Sequence, residues 1–181
     1  DTMSLDPQVI YHSYLQLPES QRFLVQIFAL LYEPASKDKA RSCWVVAMAQ
    51  QDSFERVRPP HPKDLQAQVR HLIDLEILVP QHGLGTSCNE DIIDLVARDA
   101  VRMATLEPIA EAIASRFPIG ERFPGGPPFF RNEAQFLRDV RIAIYREDLT
   151  ALKALFVHVS QVFWRSPLTI AAAVRTVLAH A

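Results

Sequence analysis

Cysteine is scarce in this chain, with two among 181 residues. Cys43 and Cys88 have neither the spacing of a zinc site nor the number that a disulfide framework needs. Both fit the profile of small apolar core residues in a reducing compartment. The six histidines are scattered, without helical or cysteine-linked ligand spacing. We therefore expect no metal site.

Long apolar runs and an excess of one charge are also missing. No stretch approaches the roughly 20 apolar residues that cross a bilayer, and no signal-peptide pattern occurs. A cytoplasmic location is the default expectation, with no membrane partner. The formal net charge is -2, whereas dedicated nucleic-acid binders are usually basic. Any contact with nucleic acid is therefore expected to be local.

Motifs for catalysis and nucleotide binding are absent from the sequence. The chain contains no G-x-S-x-G elbow, no Walker loop and no G-x-G-x-x-G fingerprint. The acidic pair Glu90-Asp91 stands where a helix begins, and carboxylates there are favoured by the helix dipole. The sequence therefore predicts a protein that is not an enzyme and that needs no cofactor.

The most informative stretch begins with a helix after residue 61. Pro62 suits a first helical turn, because its missing N–H would have no partner there. Leu65, Val69, Leu72 and Ile73 are spaced so that they fall on one face of a helix. The opposite face carries polar and charged residues, so we expect an amphipathic helix packed on a core.

A hairpin is predicted to follow this helix. Ile77-Leu78-Val79 is a short β-branched run, and we expect Pro80 to end the strand. Gly83-Leu84-Gly85 supplies residues that tolerate positive φ, so the chain can reverse. Residues 86–88 can then return antiparallel, and Asn89 is expected to cap the next helix.

This order of elements resembles the winged helix-turn-helix family over residues 20–103. The matching residues are Leu72, Leu75, Ile77 and Leu78, followed by Gly83 and Gly85 in the hairpin. The resemblance implies a mainly α fold with a small β-hairpin, in which a third helix enters the DNA major groove. Many proteins of this fold bind other proteins instead.

A short amphipathic N-terminal helix at residues 4–17 and two further helices are expected before this stretch. One begins after Pro18 and is apolar on most sides up to Pro34, and the next is capped by Ser36. The connection at residues 52–62 holds three prolines and is longer than the turn of a helix-turn-helix, which departs from the family.

The candidate nucleic-acid contacts lie in and around the third helix. From residue 56 to 71 four basic residues stand against one acidic residue, a local balance of +3. Such side chains can contact phosphates, or they can merely solvate an exposed face. The candidates are Lys63, Gln66 and Arg70 on the helix, Arg56 and Arg58 before it, and His82 in the hairpin.

The last third of the chain is predicted to be separate. We expect a winged-helix-like domain at 1–116, a Pro/Gly-rich connection at 117–131 and a three-helix subdomain at 132–181. In the first of these three helices, Arg138, Arg141 and Arg146 are expected on a face opposite the apolar one.

The passage RDVRIAIYREDL in this subdomain resembles a family as well. It is similar to the non-catalytic N-terminal regions of large bacterial helicase-like ATPases of the second superfamily. The residues that carry this resemblance are Arg138, Val140, Arg141, Ala143, Tyr145 and Asp148. Because the helical pattern of residues 170–181 carries no stop signal, we also expect the chain to be part of a longer protein.

Three functions remain open from the sequence. The first is a non-catalytic module that binds nucleic acid or protein within a larger bacterial DNA-processing or helicase-like protein. The second is a free-standing transcriptional regulator that binds DNA. The third is a protein-interaction adaptor with no nucleic-acid role. The residues do not indicate an oligomeric state.

Overall fold

The computed structural model describes residues 5–50, 58–118, 120–121, 128–130, 133–162 and 175. This part of the chain is mainly α-helical with a small antiparallel hairpin, as expected from the sequence, and it also holds a second short hairpin that was not predicted. The chain divides into two compact units, one up to Arg116 and one from Phe117 onward. We call them the amino-terminal and the carboxy-terminal unit. Within the described ranges, no helix combines the length and the apolar character that a bilayer crossing requires.

The amino-terminal unit is built from six helices and one hairpin within the described residues. Its elements are α1 (Pro7–Leu15), α2 (Glu19–Leu31), α3 (Lys37–Ala49), α4 (Pro62–Asp74), β1 (Leu78–Gln81), β2 (Gly85–Cys88), α5 (Ile93–Arg102) and α6 (Leu106–Arg116).

Helix α2 is the centre of this unit. All residues from Phe23 to Leu31 are buried, because α3, α5, α6 and β2 all pack against this helix. The Phe23 ring meets Trp44 of α3 with 5.4 Å between ring centroids. The predicted burial of α2 is confirmed, and Tyr32 with φ of 58° ends the helix two residues before Pro34. Both cysteines of the chain are buried free thiols, as predicted.

The predicted hairpin is confirmed in β1 and β2. These strands pair antiparallel from Leu78 opposite Cys88 to Gln81 opposite Gly85. The prediction that Pro80 ends the strand is wrong, since Pro80 lies inside β1 opposite Thr86. Because β1 is an edge strand, a residue without an N–H can occupy it without losing a ladder bond.

Asn89 does not cap α5, which corrects a second prediction. The helix begins at Ile93, and the Asn89 side-chain oxygen accepts a hydrogen bond from the Asp91 N–H at 3.0 Å. The Asn89 amide nitrogen donates to the carbonyl of Glu76 at 2.8 Å. Asn89 therefore closes the corner between the α4–β1 turn and the end of β2.

The carboxy-terminal unit contains β3 (Gly120–Glu121), β4 (Pro128–Phe129), α7 (Glu133–Tyr145) and α8 (Leu149–Val162). Strands β3 and β4 pair antiparallel within the Pro/Gly-rich connection. The Phe136 ring of α7 makes edge-on contacts with Phe130 and Phe156. Except for Arg175, the third predicted helix lies outside the described residues.

Two arginines of α7 are buried, contrary to the prediction of an exposed basic face. Arg138 and Arg141 are 2% and 3% exposed. Leu137, Ile142 and Ala143 are buried too, so α7 is covered around most of its circumference. The long alkyl stem of arginine can cover apolar surface in such a place. The Arg138 Nε donates to Asp139 at 2.9 Å.

Candidate nucleic-acid interface

Helix α4 is held to the core by one side and begins at a defined cap. Leu65 and Leu72 are fully buried, and α3 and β1 pack against the helix. Pro62 occupies the first turn, and the His61 side chain accepts a hydrogen bond from the Lys63 N–H at 3.4 Å through Nδ1. The other side of α4 is therefore presented to solvent in a fixed orientation.

The exposed side of α4 carries the three helix residues predicted to contact nucleic acid. Lys63, Gln66 and Arg70 are all exposed. Their spacing by three and four residues places them on one face over two turns. Asp74 continues the same face at the C-terminal end, and Asp64 is exposed beside Lys63. The exposed positions of α4 therefore carry two cations, Lys63 and Arg70, and two carboxylates, Asp64 and Asp74.

Lys37 joins this face from the start of α3. Its ammonium nitrogen donates to the Gln66 side-chain oxygen at 2.9 Å. The Ser36 hydroxyl caps α3 by accepting a hydrogen bond from the Lys39 N–H at 3.1 Å, as the sequence predicted. The contact between Lys37 and Gln66 therefore joins two helix starts into one polar surface, which we call the α4 face: Lys37, Lys63, Gln66 and Arg70.

The β1–β2 turn of the amino-terminal unit carries exposed polar and apolar side chains at its tip. His82 is exposed in the turn, and Leu84 is 69% exposed. The Leu84 N–H donates to the Gln81 carbonyl at 3.0 Å, and Gly83 takes φ of 73° to complete the reversal. The turn is therefore a short loop that is closed by a backbone hydrogen bond.

A close backbone approach fixes the hairpin to the segment between α2 and α3. Ala35 forms an isolated antiparallel bridge with Thr86, with N–H to carbonyl distances of 2.9 Å in both directions. Beside it, Gly85 has φ of 115°, and a Cβ built there would stand 2.5 Å from the Ala35 carbonyl oxygen. Only glycine fits such a position.

The other two predicted contacts lie ahead of α4. Arg58 is exposed in the connection before the helix. Arg56 lies outside the described residues, so the prediction for it remains a prediction. The structure therefore gathers Lys63, Gln66 and Arg70 on one helix face and leaves His82 and Arg58 on neighbouring exposed segments.

Sequence reasoning missed a buried polar cluster on the α1, α2 and α5 side. The Asp99 carboxylate has no exposed side-chain surface and accepts from the Tyr14 hydroxyl at 2.6 Å. It also accepts from Arg22 at 2.6 Å and from Arg102 at 2.5 Å. Gln26 adds a longer bond to Asp99 at 3.3 Å and accepts from the Thr105 hydroxyl at 2.6 Å. We call these residues the Asp99 cluster.

Protonation in the Asp99 cluster is set by opposing effects. Burial alone would raise the pKa of Asp99, but hydrogen bonds from Tyr14, Arg22 and Arg102 outweigh it and lower that pKa below its ordinary value. Burial and the hydrogen bond to Asp99 raise the pKa of Tyr14. At neutral pH the carboxylate is therefore ionised and the phenol protonated.

The Asp99 cluster is a structural junction. Through one carboxylate it ties α1, α2 and α5 together, and through Gln26 it reaches the residue that precedes α6. These contacts hold α1 and α5 against α2, the helix on which α3, α6 and β2 also pack.

Comparisons of the chain with protein-family models, with curated proteins and with solved structures find no match. Among the described residues, no three histidine, cysteine or acidic side chains lie together as metal ligands would. What the α4 face binds is therefore inferred from its own residues.

Proposed function

We propose that the amino-terminal unit is a winged-helix module that binds duplex DNA through α4, as a non-catalytic part of a larger bacterial DNA-processing or helicase-like protein. The order of its elements supports a winged helix. Helix α2 is followed by the extended residue Ala35, then by α3, α4, β1 and β2, and Ala35 and β1 flank β2 on its two sides.

The observation that carries this proposal is the α4 face. Lys63 and Arg70 are exposed cations about two turns apart on a helix whose opposite side is anchored in the core. Lys37 adds a third cation at the start of α3. Cations on such a face contact phosphates, and an amide such as that of Gln66 can reach base edges.

Charge limits how strongly this face can bind. The whole chain carries a formal net charge of -2, and Asp74 stands on the exposed side of α4. Association therefore depends on a few phosphate contacts, and each contact makes binding sensitive to salt through counterion release. The affinity should be modest and should fall steeply between low and physiological salt.

A protein partner is the second candidate, and the hairpin tip favours it. Leu84 is 69% exposed at the turn, where an apolar side chain gains nothing from phosphate. An adaptor of this kind would bind through Leu84 and leave DNA unbound. A free-standing regulator would use the same α4 face and would differ by dimerising on the duplex.

The test is binding of a fluorescein-labelled duplex of mixed sequence, followed by anisotropy over a salt series. Lys63→Glu and Arg70→Glu should each weaken binding and lower the slope of log affinity against log salt by about one or more. Lys153→Glu is the matched control, because it makes the same charge change at an exposed position of α8.

Three outcomes separate the candidates. Weakening by the two α4 variants, with the Lys153→Glu protein unchanged, supports DNA binding by α4. Equal weakening by all three variants means that overall charge, and not the α4 face, governs binding. A duplex that stays unbound even at low salt removes the DNA function and leaves the adaptor.

A further inference from the structure

The contact between Lys37 and Gln66 decides which way the Gln66 amide faces. A side-chain amide has an oxygen that accepts hydrogen bonds and a nitrogen that donates two. An ammonium group can only donate, so it selects the oxygen, as the 2.9 Å contact to Oε1 records. The amide nitrogen of Gln66 is consequently left on the side away from Lys37.

This orientation makes the α4 face a surface of donors. The Gln66 amide nitrogen, the Lys63 ammonium, the Arg70 guanidinium and the remaining N–H groups of Lys37 all donate hydrogen bonds. Two acids also occupy exposed positions of α4. Asp64 lies around the helix from Gln66, and Asp74 follows Gln66 by two turns at the C-terminal end, away from the N-terminal turns that reach base edges in helix-turn-helix docking.

We propose that Lys37 holds Gln66 as a donor, so that the α4 face prefers guanine edges in the major groove. This inference rests on the proposed DNA-binding function. Guanine presents two acceptors there, N7 and O6, whereas adenine pairs the N7 acceptor with an N6 donor. An unrestrained glutamine prefers adenine, since its oxygen accepts from N6 while its nitrogen donates to N7.

Lys37 weakens that preference for adenine, because it takes one of the two lone pairs of the Gln66 oxygen. The ammonium also places a positive charge where the N6 hydrogens would arrive, and it repels the partial positive charge of those hydrogens. Cytosine presents a donor and is disfavoured for the same reason. Thymine offers only one acceptor next to a methyl group. Guanine is therefore the base whose two acceptors match the donors of the α4 face.

The experiment compares duplexes that differ at guanine. The wild-type chain is titrated with a guanine-containing duplex, with the same duplex carrying 7-deazaguanine, which lacks the N7 acceptor, and with a duplex of A·T pairs. The guanine duplex should bind about five-fold or more tightly than the A·T duplex, the lower end expected for one two-bonded base contact. The 7-deazaguanine duplex should fall between them.

Lys37→Met tests the role of the ammonium. It keeps an unbranched side chain but releases the Gln66 oxygen, so the ratio of guanine to adenine affinity should fall to about one or invert. Lys39→Met is the matched control: it removes the same charge from the same helix, yet the Lys39 ammonium contacts Glu33 at 2.7 Å and not Gln66. Its ratio should stay at the wild-type value.

Gln66→Glu gives a second variant that does not depend on Lys37→Met. A carboxylate only accepts hydrogen bonds and cannot donate to guanine N7, so the guanine duplex and the 7-deazaguanine duplex should bind equally. Gln66 is exposed and Lys37 is partly exposed at the first position of α3, so neither side chain belongs to the buried core.

Each result decides the inference. A wild-type guanine preference that Lys37→Met abolishes and Lys39→Met preserves supports it. Equal wild-type binding of all duplexes overturns it, as does a preference that survives Lys37→Met. In these cases salt-dependent binding that Lys63→Glu weakens leaves the DNA function standing. If no duplex binds, both the function and this inference fall.

Discussion

Removing the charge of Asp99 should be among the most damaging single changes to the amino-terminal unit. In Asp99→Asn the new amide nitrogen would meet groups that themselves donate: the buried Tyr14 hydroxyl and the guanidinium groups of Arg22 and Arg102. Breaking a buried charge pair from one side costs about 3 to 5 kcal/mol. A hydrogen bond to a charged group contributes about 1.5 to 3 kcal/mol.

Solvent exposure lowers the expected loss of stability, and by a different amount for each partner of Asp99. The Arg102 side chain is 69% exposed, so its pair contributes about 1 kcal/mol or less. The Arg22 side chain is 18% exposed and is only partly rehydrated, whereas Tyr14 has no exposed surface. We therefore expect Asp99→Asn to lower the free energy of unfolding by about 3 kcal/mol.

The assay is urea unfolding of the whole chain in a Trp164→Phe background, which leaves Trp44 as the only indole. Trp44 is buried against Phe23 in the amino-terminal unit, so its fluorescence reports on that unit. The midpoint should fall without a change in slope. Asp91→Asn, an exposed acid just before α5, is the control and should change stability by no more than about 0.5 kcal/mol.

The pH dependence gives the same prediction a second test. Because the folded pKa of Asp99 is lowered, its stabilising effect is complete above the unfolded value of about 3.9 and is lost as the pH falls through the folded value. The difference between wild type and Asp99→Asn should therefore be constant from about pH 5 to pH 8 and shrink below about pH 4. A variant as stable as wild type at neutral pH would refute the reasoning.

Three further changes test other parts of the structure. Gly85→Ala should cost about 2 kcal/mol or more in the Trp44 assay, since its Cβ would meet the Ala35 carbonyl and its φ is positive, while a neutral result would contradict the close approach. Ser36→Ala removes the cap of α3 and should cost about 1 kcal/mol in the same assay, and no loss would mean the cap is dispensable. Arg138→Met should lower the calorimetric stability of the chain by about 1 to 3 kcal/mol, because it removes the guanidinium that donates to the largely buried Asp139 carboxylate at 2.9 Å, and an unchanged stability would show that this pair contributes nothing.

Local patterns account for the parts of the fold that the sequence predicted. Pro62 and the spacing of Leu65 and Leu72 predict α4, because a proline at the first turn and one apolar face are properties of a few neighbouring residues. The glycine turn predicts the hairpin for the same reason. The exposure of Lys63, Gln66 and Arg70 follows from helical periodicity once the buried side is known.

The Asp99 cluster could not be found in this way, because its members are brought together only by tertiary packing. Asp99 lies 85 residues from Tyr14 and 77 from Arg22 along the chain. In the sequence Asp99 looks like one more charge on an amphipathic helix. The available signal was indirect: Tyr14 and Gln26 stand among apolar residues of two helices, where a buried polar side chain needs a partner.

The prediction of an exposed basic face on α7 was wrong for a different reason. Arg138 and Arg141 alternate with apolar residues in a pattern that predicts one polar side, yet both are buried. Helical periodicity shows where charged side chains would lie if only one face of the helix were covered. It contains no information on how many sides the rest of a unit will cover.

The bridge between Ala35 and Thr86 joins the hairpin to the segment that leads into α3. Two backbone hydrogen bonds connect Thr86 of the hairpin to Ala35, and Lys37 follows two residues later along the chain. A displacement of β2 would therefore reach, through two backbone hydrogen bonds, the start of α3, where Lys37 contacts Gln66. The hairpin and the α4 face are for this reason not independent surfaces.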